Sequence, residues 1–171
     1  ALAERYGFLH PHLAFPTVFR VPAEGEEPED PEAGWSGGFD VVLGNPPWDQ
    51  IQLDDREFFA ATHPDIAAAP NMAARKRMLK DLAEGDPAAY HAYQEAVRHT
   101  ETIQHFVHKS GRYPLTSYGR LNVAPLFVEA ARFLVSPTGR IGVVVPSGIA
   151  TDAFNQHFFR DLVDRRSLVS L

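Results

Sequence analysis

The chain has 171 residues, a net charge of −6, 44% apolar and 22% charged residues, and no cysteine. That size and balance suit one globular domain, or part of one, with a buried core, and the missing cysteine excludes disulfides, a cysteine nucleophile and thiolate metal sites. No apolar run approaches the roughly 20 residues that span a bilayer, and the start, Ala-Leu-Ala-Glu-Arg-Tyr-Gly, lacks the pattern of a secretion signal. The expectation is an interior piece of a longer cytoplasmic protein.

Residues 1–22 mix aromatics, His and Pro (His10, Pro11, His12, Phe15, Pro16, Phe19) and predict a loop ending in a short extended piece. Residues 24–32 hold six carboxylates and no base; without them the remainder is neutral, so net charge does not decide the partner. Self-repulsion and prolines predict a solvated, mobile spacer there, within an acidic and Gly-rich loop over 24–38. Phe39-Asp40-Val41-Val42-Leu43 follows a Gly-Gly pair. Its near-continuous apolarity predicts a strand covered on both faces, as in a parallel sheet.

Residues 54–109 read as a helical insertion. One helix is predicted over about 71–84, closed by Gly85-Asp86-Pro87, and a longer one over about 88–109. In the longer one Tyr90, Tyr93, Val97, Phe106 and Val107 fall near one face. The only basic cluster is Arg75, Lys76, Arg77 and Lys80; Arg75, Arg77 and Lys80 are candidates for DNA phosphates, against a plain solvated face.

Residues 118–171 continue as helix, strand, helix, strand. Asn122 can cap a helix, and Pro125 is tolerated in a first turn. Leu126, Phe127, Ala130, Ala131 and Leu134 follow at helical spacing, and Ser136-Pro137-Thr138-Gly139 should stop that helix. Arg140–Val145 is a second strand of buried type. Residues 153–165 predict a helix with Phe154, Phe158, Phe159 and Leu162 inward, and Ser167–Leu171 the start of a third strand. This alternation is that of an α/β parallel sheet, whose ligand crevice lies beyond the carboxyl ends of its strands.

Asn45-Pro46-Pro47-Trp48 stands at such an end. Two prolines stiffen the backbone and remove two N–H donors, so the loop offers carbonyl acceptors in a rigid frame. Asn45 adds an amide oxygen and Trp48 a flat face. Acceptors beside an aromatic plane suit an exocyclic amine on a planar ring, such as a nucleobase flipped from a duplex. A turn after a strand is the plainer reading, but the tetrapeptide arises by chance in a chain this long on the order of once in several thousand.

Phe39-Asp40-Val41-Val42-Leu43-Gly44-Asn45-Pro46-Pro47-Trp48 resembles the catalytic motif of adenine-specific DNA methyltransferases that use S-adenosylmethionine, nearest to the large bacterial enzymes of restriction-modification and phage-exclusion systems. Residues 10–19 resemble the segment preceding the catalytic strand in that group; Leu121–Glu129 and Gly139–Asp152 resemble the helix, strand and loop that follow. Together these cover roughly half the chain. The resemblance implies the second half of a Rossmann-like methyltransferase sheet, double-stranded DNA with a flipped adenine as substrate, and the rest of a parent chain or other defence subunits as partners. It implies that Asn45 and the Pro46 carbonyl accept from the adenine amine, favouring a more tetrahedral nitrogen whose lone pair attacks the sulfonium methyl. Pro47 stiffens the loop, Trp48 holds the base, and Pro146 and Ser147 line the same crevice.

The chain departs from that pattern in one respect. The family binds its cofactor chiefly through a glycine-rich loop after a first strand, and no such loop precedes Asn45; Gly34, Gly37 and Gly38 come before a strand. Two other readings stay open: an enzyme methylating a protein glutamine amide, which usually carries Tyr where Trp48 stands, and a non-catalytic DNA-binding part of a defence complex. Metal binding by His91, His99, His105 and His108 is not expected, because closed metal sites usually need four ligands in place. Ser147 lacks the Gly-x-Ser-x-Gly pattern of a hydrolase elbow. Asp54, Asp55 and Glu57 suit a helix start better than a nuclease site.

Overall fold

A computed structural model describes residue 7 and residues 9–171; the expectations for residues 1–6 and 8 lie outside the described residues. In chain order the elements are α1 (Pro11–Ala14), β1 (Phe19–Arg20), β2 (Ser36–Gly37), β3 (Phe39–Gly44), α2 (Asp55–Phe59), α3 (Pro64–Ala67), α4 (Met72–Gly85), α5 (Pro87–Lys109), α6 (Val123–Arg132), β4 (Val135–Val143), α7 (Gly148–Thr151), a 3-10 turn (Ala153–Asn155) and α8 (Gln156–Asp164). The architecture is mixed α/β. The chain divides into two compact units, one made of the described residues up to Asp49 with Asn122–Leu171, the other of Gln50–Leu121.

In the first unit β3 runs parallel to β4, with Val41 opposite Arg140 and Gly44 opposite Val143, while β1 pairs antiparallel with β2. The helix ends at Arg132, before the expected stop at Ser136-Pro137-Thr138-Gly139, and that stretch lies within β4 instead. Val135 is opposite Phe39 and Arg140 opposite Val41, so these residues bulge out of β4. Pro137 has no N–H to lose from the ladder there. The bulge is closed by the Phe39 N–H donating to the Leu134 carbonyl at 2.8 Å and by the Arg140 guanidinium donating to the Gly139 carbonyl at 2.9 Å. Gly139 is needed: a Cβ there would lie 2.8 Å from the Phe39 carbonyl oxygen.

One face of this sheet is not covered among the described residues, contrary to expectation. Val41, Leu43 and Val144 are exposed, Leu43 at 77%, whereas Val42, Ile141 and Val143 on the other face are half-buried. Aromatic side chains fill the other end of the unit. Phe19 is buried, edge-on to Trp35 at 5.5 Å and Phe39 at 5.0 Å between ring centroids.

The acidic stretch is not a free spacer. The Trp35 indole N–H donates to the Phe133 carbonyl at 3.1 Å, Asp30 accepts from the Glu32 and Ala33 amides, and Glu29 accepts from the Gly37 amide. Glu32 pairs with Arg165, which also meets Asp161; these two carboxylates, Glu32 first, raise the Arg165 guanidinium further above its ordinary pKa. Asp161 in turn pairs with Arg132 at 2.7 Å, whose guanidinium lies over the buried Phe158 ring. Phe154 and Phe127, expected inward, are exposed: Phe154 lies in the 3-10 turn before α8, which buries Phe158, and α6 buries Leu126, Val128 and Ala131. Ser167–Leu171 forms no strand, and Val169 and Leu171 are exposed.

The second unit is helical, as expected, but extends beyond 54–109 at both ends. Each main helix begins on a side-chain cap: Asp54 accepts from the Arg56 amide at 2.7 Å, Asn71 from Ala74 at 2.9 Å, and Asp86 from Ala89 at 3.0 Å. Pro87 occupies the first position of α5, where its missing N–H costs nothing. Phe59, Ile66 and Leu82 form the core, with Met78, Tyr90 and Tyr93 packed on it. On α5 the inward stripe is Tyr90, Tyr93, Val97, Thr100, Gln104 and Val107; Phe106, expected inward, points out. Gln104 reaches inward because its amide donates to the Ile51 carbonyl at 2.6 Å.

Candidate functional site

The last rung between the parallel strands is the Val144 N–H donating to the Gly44 carbonyl at 3.0 Å. The chain then leaves β3 through Asn45-Pro46-Pro47. Pro46 is buried, and Asn45 and Pro47 are exposed. Trp48 is 51% exposed, and its indole N–H donates to the Val144 carbonyl at 3.3 Å. The Trp48 carbonyl accepts from the Asn122 side-chain amide at 2.8 Å, and the Asp49 carbonyl from the Val123 amide at 2.9 Å. The loop is therefore pinned to the end of β4 on one side and to the start of α6 on the other.

Two acceptors in this loop are left open. The Asn45 carboxamide makes no side-chain hydrogen bond among the described residues, and no described backbone amide donates to the Pro46 carbonyl. They precede the half-exposed Trp48 in the same loop, by three and two residues. Such a set can take two hydrogens from a planar amino group and stack its ring.

Pro146 and Ser147 follow Val144 by two and three residues, so they lie at the same strand end as the Trp48 indole. Pro146 is half-buried and Ser147 exposed at the start of α7. Farther on, Thr151, Asp152, Gln156, His157, Phe159 and Arg160 line an open cleft of about 390 Å³. Thr151 and Asp152 end the stretch that resembles the loop of the family, whereas nothing in the sequence pattern points to Gln156, His157 or Arg160.

The three basic candidates stand on α4 in the other unit, and they separate into two kinds. Arg75 is only 7% exposed. Its guanidinium donates to the Ile66 carbonyl at 3.3 Å and lies 4.0 Å from the Asp55 carboxylate, which accepts the Tyr93 hydroxyl at 3.0 Å. Arg75 is thus a buried tie between α2, α3 and α4 rather than a phosphate contact. Burial, and then the Asp55 carboxylate, push the Tyr93 phenol up to about 12. Arg77 and Lys80 are exposed beside Lys76, and none of the three forms an ion pair among the described residues.

Among the described residues no three His, Asp or Glu side chains lie close enough together to hold a metal ion, and no helix is long and apolar enough to cross a membrane. Within the other unit, His108 contacts the Ser117 carbonyl at 2.8 Å.

Neither a protein-family model, nor a curated protein, nor a solved structure matches the chain.

The described residues do not fit the main S-adenosylmethionine site that the resemblance implies. A Cβ at Gly37 would meet the Val18 carbonyl oxygen, and one at Gly38 would lie 2.5 Å from the Ser136 nitrogen. These glycines let backbone pack on backbone; they do not open a cradle for a ligand.

Proposed function

We propose that the Asn45–Trp48 loop holds the exocyclic amino group of an adenine extruded from duplex DNA. On this reading the chain is the amine-binding part of a Rossmann-like, adenine-specific DNA methyltransferase of the bacterial restriction-modification or phage-defence kind. The observation that carries it is the pair of acceptors without a hydrogen-bond partner among the described residues, Asn45 Oδ1 and the Pro46 carbonyl, in the same short loop as a half-exposed indole held by the Val144 carbonyl. An aromatic amine is a poor nucleophile because its lone pair is delocalised into the ring. Two acceptors aimed at its hydrogens favour the pyramidal nitrogen over the planar one, and preorganised acceptors act most strongly where charge develops. Trp48 offers the extruded base a stacking face in place of its lost neighbours. Of the three basic candidates, Arg77 and Lys80, exposed and without an ion pair among the described residues, remain available to phosphates. S-adenosylmethionine is the methyl donor this reading requires, and its main site is assigned to none of the described residues.

The test compares two duplexes, one with adenine opposite an abasic site and one with unsubstituted purine at the same place. A single hydrogen bond contributes ~0.5–1.5 kcal/mol net, so the native chain is expected to prefer adenine by roughly 2- to 10-fold per bond, and Asn45→Ala to lose most of that preference. Equal binding of the two duplexes by the native chain would sink the proposal.

A further inference from the structure

We infer that Asn122 is a positioning residue for Trp48; this rests on the reading of the 45–48 loop as the amine platform. One carboxamide joins two parts of the chain 74 residues apart. Its Oδ1 accepts from the Ala124 amide at 2.9 Å and so caps α6, while its Nδ2 donates to the Trp48 carbonyl at 2.8 Å. The two partners fix which end of the amide is which, since an N–H needs an oxygen and a carbonyl needs a donor.

Capping alone does not call for this side chain. Asp and Ser cap a helix about as well as Asn. Asp has no donor at neutral pH, so it could not also hold the Trp48 carbonyl. The donor matters because of what precedes Trp48. Pro46 and Pro47 have no N–H, so between Gly44 and Trp48 the loop has little means of anchoring itself. Its anchors come after the prolines: the Trp48 indole on Val144, the Trp48 carbonyl on Asn122 and the Asp49 carbonyl on the Val123 amide. Asn122 is the only one of these anchors that acts on the Trp48 backbone itself. It fixes the Trp48 backbone from which the indole projects towards the Val144 carbonyl, and with it the end of the short segment that carries Asn45 and Pro46, before any base arrives.

The experiment uses the indole N–H resonances of the two tryptophans, with Trp35 as internal control. Asn122→Asp keeps the cap and removes the donor; Asn122→Ala removes both. In Asn122→Asp the melting temperature is expected to stay closer to native than in Asn122→Ala. The Trp48 indole proton should shift and exchange faster with water, with Trp35 unchanged. Affinity for the adenine duplex should fall about 2- to 10-fold, the cost of ordering a loop and side chain on binding. Should Asn122→Asp fold poorly, Asn122→Ser, which also caps but whose single hydroxyl ends one bond short of the Asn Nδ2 that holds Trp48, takes its place in the comparison. A Trp48 resonance identical to native in both donor-lacking variants would reduce Asn122 to a helix cap and overturn the inference. A loosened Trp48 in a protein whose native form does not discriminate adenine from purine would uphold the positioning role and defeat the adenine reading, so the two failures are distinct.

Discussion

In the helical unit, Asp54, Asn71 and Asp86 each cap the helix that begins beside them, and the core joins Phe59 and Ile66 to Leu82, Tyr90 and Tyr93 over shorter spans of chain. In the sheet-bearing unit the deciding bonds join distant residues: Trp35 with Phe133, Trp48 with Val144, Asn122 with Trp48, and β3 with β4. The first kind of order is specified a few residues at a time. The second requires long loops to close before any contact forms. The candidate site belongs to the second kind: a loop held rigid by a scaffold that its own residues do not encode locally.

The largest expected effects come from the two cores. Phe59 is fully buried, so Phe59→Ala should cost ~3–5 kcal/mol. Hydrogen exchange should then rise first over α4 and α5. Gly139→Ala puts a Cβ against the Phe39 carbonyl and the Val135 side chain, an overpacking expected to cost ~1–3 kcal/mol, with exchange rising over residues 39–44 and 135–143. Melts combined with residue-resolved exchange read both. If either variant loosened all described residues evenly, the contrast between locally and distantly specified order would fail.

A smaller effect sharpens the helical side. The Tyr93 phenol is held near 12 against an ordinary value of 10.0, so its neutral form is favoured in the folded chain. The unfolded chain therefore loses this proton first as pH rises. Stability from neutral Tyr93 is full below about pH 10 and declines between about pH 10 and 12. Tyr93→Phe removes that titration and should flatten the alkaline decline of the melting temperature relative to native. The same alkaline slope in both proteins would show that the Tyr93–Asp55–Arg75 cluster does not govern it.

What could be read from the sequence follows the same division. Val41-Val42-Leu43 after Gly-Gly marks β3, and Asn71, Pro87 and Asn122 mark where α4, α5 and α6 begin, because caps and β-branched runs act within a few residues. The bulge at 136–139 reads as a stop, since Ser-Pro-Thr-Gly is turn chemistry and only the register against β3 reveals that the strand continues around it. Phe106, Phe127 and Phe154 read as inward because spacing gives a helix its stripes but not which one meets the core. Arg75 reads as part of a basic surface because its neighbours Lys76 and Arg77 are, although one step of 100° separates a buried position from an exposed one. The acidic run reads as repelling itself into solvent, yet Glu29, Asp30 and Glu32 each find a donor. At the candidate site, the place of Asn45–Trp48 directly after β3 is legible from a β-branched run followed by two prolines. The grip of Asn122 is not, since a bond across 74 residues leaves no local signal.

The most direct test of the central claim is titration of the adenine-bearing duplex into the native chain, Trp48→Phe and Trp48→Ala, with thermal melts of the same three proteins. Base stacking on an aromatic contributes ~1–3 kcal/mol, so Trp48→Ala is expected to bind roughly 5- to 150-fold more weakly while Trp48→Phe keeps most of the affinity. A half-exposed residue should cost the melt little in either variant. A Trp48→Ala protein that melts like a core mutant, yet binds the duplex as tightly per folded molecule as the native chain, would contradict the claim that this loop is a platform for an extruded base.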